Sequence, residues 1–349
     1  MKTLRVLHIA NRAEKHWAKR YYSFPYKMNN GLVRNGHCVY WFSDRDIAKY
    51  LAFIPSRKFG VGICNKKLLE VCKNFRPEVV VFGHAEIIKN EVFEEIKGRY
   101  GSIIVQYDID LLHADNKKKL ADGNGIVDFN FLTTGGSVLG ELANKGTRYA
   151  YIPNPVDRSI DCLENHKKEN LPVDVFFAGQ TSHMVDASDL RTQISSLPRD
   201  LPQIRVGLYN GVWGQDYLRL LAKARTGLSI SVGLKGAGEG DGSHHHHYSS
   251  DRISQYLGNG LLTFVEKRFH LSEVYGPNIL VEVESYEELK SRLDFFVRHD
   301  NLRKKQAEAS WCLAHEQFNE RLVAQYLLET ATGLSLSHHY HWPTKVWGG

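Results

Sequence analysis

The sequence predicts an α/β protein built from two doubly wound domains, and three observations predict it. Compact apolar runs alternate with helical stretches along most of the 349 residues. The runs are continuous rather than alternating, as in RPEVVVFG (76–83) and VDVFFAG (173–179), which marks parallel strands covered on both faces. The alternation is interrupted once, by a polar stretch over 158–172 that ends in Pro172, and a chain of this length accommodates two domains.

In order, LRVLHIA (4–10) reads as the first strand. A polar, aromatic loop through Tyr21 and Tyr22 precedes a helix over 25–36, and Gly36 with His37 leads into the strand CVYWF (38–42). RPEVVVFG is the next strand, then come a helix over 90–101, the strand SIIVQYD (102–108), the short strand FNFLTT (129–134) and a helix stopped by Gly146. RYAYIPNPVD (148–157) closes the first domain, expected over 1–157, with 158–172 as linker. The second domain, over 173–332, restarts with VDVFFAG and continues through a helix (186–197), QIRVGLY (203–209), the helix DYLRLLAKAR (216–225) and TGLSISV (226–232). LLTFVEK (261–267) and NILVEVES (278–285) are strands, SYEELKSRLDFFVRHD is a helix, and 302–330 is helical. The aromatic tail over 333–349 has no clear period and is expected to pack back on the first domain.

Composition narrows the function. With 42% hydrophobic and 24% charged residues this is an ordinary globular chain. No apolar run approaches the roughly 20 residues that span a bilayer, and MKTLRVLHIANR is too short in apolar residues for a secretory leader. The five cysteines are dispersed without a CxxC pair, which fits reduced thiols and a cytoplasmic setting. The net charge of +6 suits an anionic nucleotide, an anionic glycolipid or a peripheral contact with an acidic inner-membrane face. Nucleic acid is disfavoured, since no RNP motif, zinc-finger spacing or long basic helix is present. The first strand is followed by NRAEKHW rather than GxGxxG, which disfavours a dinucleotide-dependent dehydrogenase.

The stretch YSSDRISQYLGNGLLTF (248–264) places Tyr248, Ser249, Ser250 and Arg252 at a helix start, followed by a Gly-Asn-Gly turn and a strand. A helix N-terminus offers unpaired N–H groups and partial positive charge, and Arg252 adds a guanidinium, so the stretch suits a phosphate. An ordinary capped helix has the same letters. Before it lies VGLKGAGEGDGSHHHH (232–247), a glycine-rich loop ending in four histidines; a substrate-closing loop is the favoured reading and a dedicated metal site the disfavoured one.

Several stretches resemble the GT-B glycosyltransferases, in particular GT4-like and CgeB-like members. FLTTGGSVLGELANKGTRYAYIPNPVD resembles the end of their first domain, with Asn154, Pro155 and Asp157 matching; VDVFFAGQTS resembles the first strand and glycine loop of their donor domain; and LRLLAKARTGLSIS resembles the helix and strand that precede the donor loop. YSSDRISQYLGNGLLTF and SYEELKSRLDFFVRHDNLRKKQAEAS resemble two further stretches, in the family's order. The resemblance implies two Rossmann-like domains with a donor and acceptor cleft between them. It implies sugar transfer from a UDP-, GDP- or CMP-linked donor to a glycan or glycolipid hydroxyl, as in lipopolysaccharide, O-antigen or capsule assembly. No cofactor or metal is expected, the nucleotide sugar being a substrate. Gln255 stands where many retaining members carry a glutamate against the donor ribose. An amide keeps the hydrogen bond but not the charge, so a CMP-linked acidic sugar such as Kdo stays open. An epimerase, a phosphorylase-like enzyme or a non-catalytic binding protein on the same fold also stays open.

Candidate site residues follow from strand ends, where open α/β sheets bind ligands. Gly179, Gln180 and Thr181 end the first strand of the second domain, and Tyr209, Asn210 and Gly211 end its second. With Tyr248, Ser249, Ser250, Arg252 and Gln255 they make the expected donor site. For a general base the first domain offers Asp108 first, then Glu86 and His84 of FGHAE, with Asp110 beside them. Each is also an ordinary turn or cap residue. HWAKRYYSFPY (16–26) mixes cations and aromatic rings and would suit a sugar or an anionic acceptor.

Overall fold

The computed structural model describes residues 2–52, 57–112, 114–143, 146–179, 189–231 and 246–348. It divides into two compact units, residues 1–155 with 320–349, and residues 156–319.

The first unit begins with β1 (Arg5–Ile9), α1 (Phe24–Arg34), β2 (Cys38–Phe42), α2 (Asp44–Tyr50), α3 (Arg57–Phe75) and β3 (Val79–Gly83). It continues with α4 (Asn90–Tyr100), β4 (Ile103–Asp108), α5 (Ala114–Asp122), β5 (Phe129–Leu132), α6 (Val138–Leu142) and β6 (Arg148–Tyr151). The second unit holds β7 (Val173–Ala178), α7 (Leu190–Gln193), α8 (Leu197–Asp200), β8 (Val206–Tyr209), α9 (Gly214–Leu221), β9 (Ala224–Ser229) and α10 (Asp251–Gly258). Then come β10 (Leu262–Glu266), α11 (Ser272–Tyr275), β11 (Val281–Val283), α12 (Tyr286–Arg298) and α13 (Asp300–Gln317). The chain returns to the first unit through α14 (Glu320–Thr332) and β12 (Val346–Trp347).

The second sheet runs β11-β10-β9-β7-β8 and is parallel throughout. Its first strand in sequence, β7, lies between β8 and β9, so the winding reverses between β7 and β9. That is the switch point at which doubly wound sheets bind ligands. The first sheet runs β12-β6-β5-β4-β3-β1-β2, parallel except for β12, and reverses between β1 and β3. Val79, Val80 and Val81 of β3, and Val175, Phe176 and Phe177 of β7, are all fully or almost fully buried, as continuous apolar strands require.

Two boundaries differ from those the composition suggests. Residues 158–172 belong to the second unit. The buried Asn165 donates to Leu221 O and Ala224 O at 2.8 Å, and the Leu163 N–H donates to Asn259 Oδ1. The polar letters serve to pair backbone groups at element ends, a use that composition does not separate from a solvated linker. Residues 320–332 fall with the first unit rather than the second. There α14 buries Val323, Tyr326 and Leu327, and Tyr326 meets Phe131 of β5 edge-on at 6.0 Å. The aromatic tail continues the same layer: Tyr340 donates to Glu329 at 2.7 Å, Trp342 stands 5.7 Å from Tyr326, and Trp347 pairs with Tyr149 of β6.

The packing of α14 on α1 depends on Gly31. A Cβ there would sit 2.1 Å from the carbonyl oxygen of Glu320 and 2.9 Å from the Cβ of Ala324. Alanine would gain about 1 kcal/mol of helix propensity, but the clash with backbone forces the helices apart at about 1–3 kcal/mol or more. Gly31→Ala is therefore expected to lower the melting temperature by several degrees; thermal denaturation followed by circular dichroism checks it.

Candidate active site

In the second unit the strand ends at the switch point gather a cationic site. Gly179 follows β7, and its N–H donates to Tyr209 O at 2.9 Å. Arg191 and Arg252 both lie over the buried ring of Phe177, their guanidinium carbons 5.5 and 5.4 Å from its centroid. Arg191 leaves the first turn of α7, whose start Asp189 caps by accepting from the Arg191 N–H at 2.8 Å. Arg252 leaves the first turn of α10 and donates to Ile230 O, just past β9, at 2.9 Å. Gly179 is what lets Arg191 lie so close, since a Cβ there would stand 2.9 Å from its Nη2. Burial, and next to it the charge of Arg252, brings the Arg191 guanidinium down to about 10. It keeps its proton at neutral pH, and an anion lodged against the two cations would relieve their repulsion.

Four buried polar residues lie on or next to α10 and β10. Glu266, at the end of β10, accepts from the Ser231 N–H at 2.7 Å and pairs with Arg268 at 2.6 Å; burial raises its carboxyl above the usual range. Ser250 precedes α10 without a side-chain cap bond to the helix, its Oγ meeting Ser229 Oγ at 2.8 Å. Ser249 Oγ is turned to Tyr275 Oη at 3.2 Å, and the Tyr248 ring packs on Phe269. Gln255 is buried on α10 and accepts from Tyr217 Oη at 2.6 Å.

In the first unit the four candidate bases lie at the ends of β3 and β4. Gly83 pairs with Tyr107 across the two strands, so His84 and Asp108 leave side by side. Gly83 must lack a side chain, because a Cβ would meet the Tyr107 ring at 2.1 Å. His84 adopts φ 43°, a left-handed conformation that non-glycine residues rarely hold. Its Nδ1 stands 3.7 Å from Glu86 Oε1 and its Nε2 3.8 Å from Asp110 Oδ2, ion-pair rather than hydrogen-bond distances. The Glu86 carboxylate first, then Asp108 and Asp110, raise the imidazole above its ordinary value against the effect of burial. Against burial, His84 and Arg45 bring Glu86 down to about 2; Arg45 pairs with the Glu86 carboxylate and donates to His84 O at 2.9 Å. Asp108 goes the other way. Burial raises its carboxyl, opposed by His84 and by the Asp110 N–H, which donates to Asp108 Oδ1 at 2.9 Å.

These environments separate the four. With its carboxyl brought down to about 2 and paired with Arg45, Glu86 is a weak base. Asp108 combines a raised pKa with a hydrogen bond that aims it, the profile of a general base. His84, Asp108 and Asp110 also bring ligand atoms within 4.8 Å of one another, an arrangement able to take a divalent cation.

The structure thus brings Asp108, Glu86, His84 and Asp110 together, and it gathers Gly179, Tyr209, Ser250 and Arg252 at one sheet edge. Asn210 and Gly211 follow Tyr209 as exposed turn residues, and Gln180 and Thr181 lie outside the described residues, as do 232–245 of the glycine-rich loop. Arg191 and Glu266 were not singled out from the sequence. No local signal marks Arg191, since its approach to Arg252 depends on strand order.

Two parallel-stranded α/β units of this kind are the architecture of the GT-B class, and the chain has that fold. Residues 191–329 match the model of a family described as glycosyl transferase-like. A glycosyltransferase from Rickettsia africae superimposes with a TM-score of 0.58 at 13% identity, covering 95% of this chain and 99% of that one. Sucrose-phosphate synthase from Thermosynechococcus elongatus gives 0.57 at 10% identity, covering 95% and 98%. HepE from Anabaena, in complex with UDP, gives 0.53 at 10% identity, covering 95% and 100%. At such identities the likeness is one of fold. No curated protein matches the chain in sequence. Among the described residues, no helix is long and apolar enough to cross a membrane.

Proposed function

We propose that the protein transfers a sugar from a nucleoside diphosphate sugar to a hydroxyl of a cell-surface glycan. The observation that carries this reading is the arginine pair at the switch point of the second unit. Two fixed guanidinium groups on one ring suit two linked phosphates, and the N–H groups at the start of α10 add to them. UDP in the Anabaena relative supports a uridine or similar diphosphate donor.

In this reading the acceptor O–H passes its proton to the Asp108 carboxylate as its oxygen bonds the anomeric carbon. The bond from that carbon to the diphosphate breaks, and the electron pair leaves on the phosphate oxygen. Arg191 and Arg252 stabilise that developing charge, the work a metal ion would otherwise do. Base-assisted attack of this kind inverts the anomeric centre. The 16–26 segment supports a glycan or glycolipid acceptor, since Trp17 is 88% exposed among Lys15, Lys19 and Arg20.

The test is nucleotide release from UDP-, GDP- and CMP-linked sugars with and without a lipopolysaccharide or capsule acceptor. Release that depends on the acceptor supports transfer. Donor consumption that ignores the acceptor supports an epimerase-like or hydrolytic enzyme instead, and release from the CMP donor alone supports an acidic-sugar transferase.

A further inference from the structure

The histidine run ends inside a cluster that the transfer reaction does not use. His246 and His247 form a turn just before Tyr248, and both aim Nε2 at the same carboxylate oxygen, Glu273 Oε2 of α11, at 3.0 and 2.9 Å. The three ligand atoms lie within 4.8 Å of one another. His270 closes the far side: its ring centroid is 4.9 Å from that of His246, and its Nδ1 is 3.8 Å from Glu273 Oε1. His247 is buried and its N–H donates to Phe269 O at 2.7 Å, which fixes the turn against the segment before α11.

Four consecutive histidines alone would form a loose chelator whose partners are all on one strand of chain. Here the ligands come from two separate elements, the turn at 246–247 and α11, and the backbone at both His247 and His270 is left-handed, φ 58° and 50°. Side chains rarely adopt that conformation, so these two imidazoles are held where they stand by the surrounding fold. Two imidazole nitrogens and one carboxylate oxygen form the donor set that zinc accepts, with a fourth position for water. Zinc bonds of about 2.0–2.1 Å in a tetrahedron place neighbouring ligand atoms roughly 3.4 Å apart. Each nitrogen need only move a few tenths of an ångström further from the Glu273 oxygen than its present hydrogen-bond distance.

We propose that His246, His247 and Glu273 form a zinc site, with His270 packed against it, that ties the start of the 248–264 segment to α11. The site shares no residue with the arginine pair or with the candidate base. Its effect would be to fix the approach to α10, where Ser250 and Arg252 stand.

The test is calorimetric titration of the purified full-length protein with Zn2+, paired with the visible spectrum after Co2+ is added instead. Wild type should bind Zn2+ and show the intense Co2+ bands of a four-coordinate N and O site. Glu273→Ala and His247→Ala should each weaken Zn2+ binding at least tenfold and remove those bands, while circular dichroism shows both variants folded. Zinc should also raise the wild-type melting temperature and leave that of Glu273→Ala unchanged. Glu273→Ala binding Zn2+ as tightly as wild type would show that the histidine run acts alone and overturn the site. Failure of wild type to bind, or binding abolished by His84→Ala and untouched by Glu273→Ala, would overturn it as well.

Discussion

Asp108→Asn is expected to bind the donor as wild type does and to lose turnover by about 10²–10⁴-fold, the usual contribution of a positioned base. Asparagine keeps the size of the side chain and can still accept from the Asp110 N–H, so the loss reports the missing proton acceptor. The pH profile carries the same information. The Asp108 carboxyl is raised above the usual range, chiefly by burial, and a base works only when deprotonated. Turnover should therefore fall on the acid side, with a midpoint above the ordinary aspartate value of about 3.9, and it should be retained at neutral pH. Glu86→Gln is the informative comparison. With Glu86 brought down to about 2 and engaged with Arg45 and His84, its loss should lower the His84 pKa and reduce turnover less than Asp108→Asn does. Steady-state rates across pH, with donor affinity measured separately, distinguish these outcomes; a Glu86→Gln enzyme deader than Asp108→Asn would reassign the base.

Arg191→Ala and Arg252→Ala are expected to weaken donor binding by about 10–100-fold each, from the roughly 1.5–3 kcal/mol of a hydrogen bond to a charged group. Both guanidinium groups pack on the ring of Phe177, and the charge of Arg252 helps to lower Arg191, so their losses should not add. Arg191→Lys should restore less than half of the lost binding energy, because an ammonium cannot present the planar fork to a phosphate. Thermal stability should change little in either variant, since both cations stand at helix starts and are only partly buried. Isothermal titration with the donor nucleotide checks the affinities.

Much of this fold is legible in the sequence because parallel strands buried on both faces write continuous apolar runs. Among the described residues, all eleven parallel strands lie at runs that the sequence shows, and β12 lies in a tail too short and irregular to read. α2 and α3 were harder. The inward face of α3 carries Cys64, Leu68 and Cys72, and two cysteines at a helical spacing read as thiols rather than as core. The domain boundaries were obscured because buried Asn165 and Asp161 look like linker residues until their partners on distant elements are known. The same limit governs the site. Asp108 and His84 could be nominated as strand ends, but their adjacency depends on strand order, which local sequence does not write. Arg191 reaches Arg252 only because β7 and β9 are neighbours, although 61 positions separate the two arginines.

The proposed function rests on the arginine pair holding the diphosphate of a nucleotide-sugar donor. Titration of UDP, GDP and CMP into wild type and into the Arg191→Ala, Arg252→Ala double variant tests it most directly. A nucleoside diphosphate should bind wild type more tightly than the monophosphate does, and the folded double variant should lose that binding. Equal affinity in the two proteins, or no nucleotide binding to wild type, would contradict it.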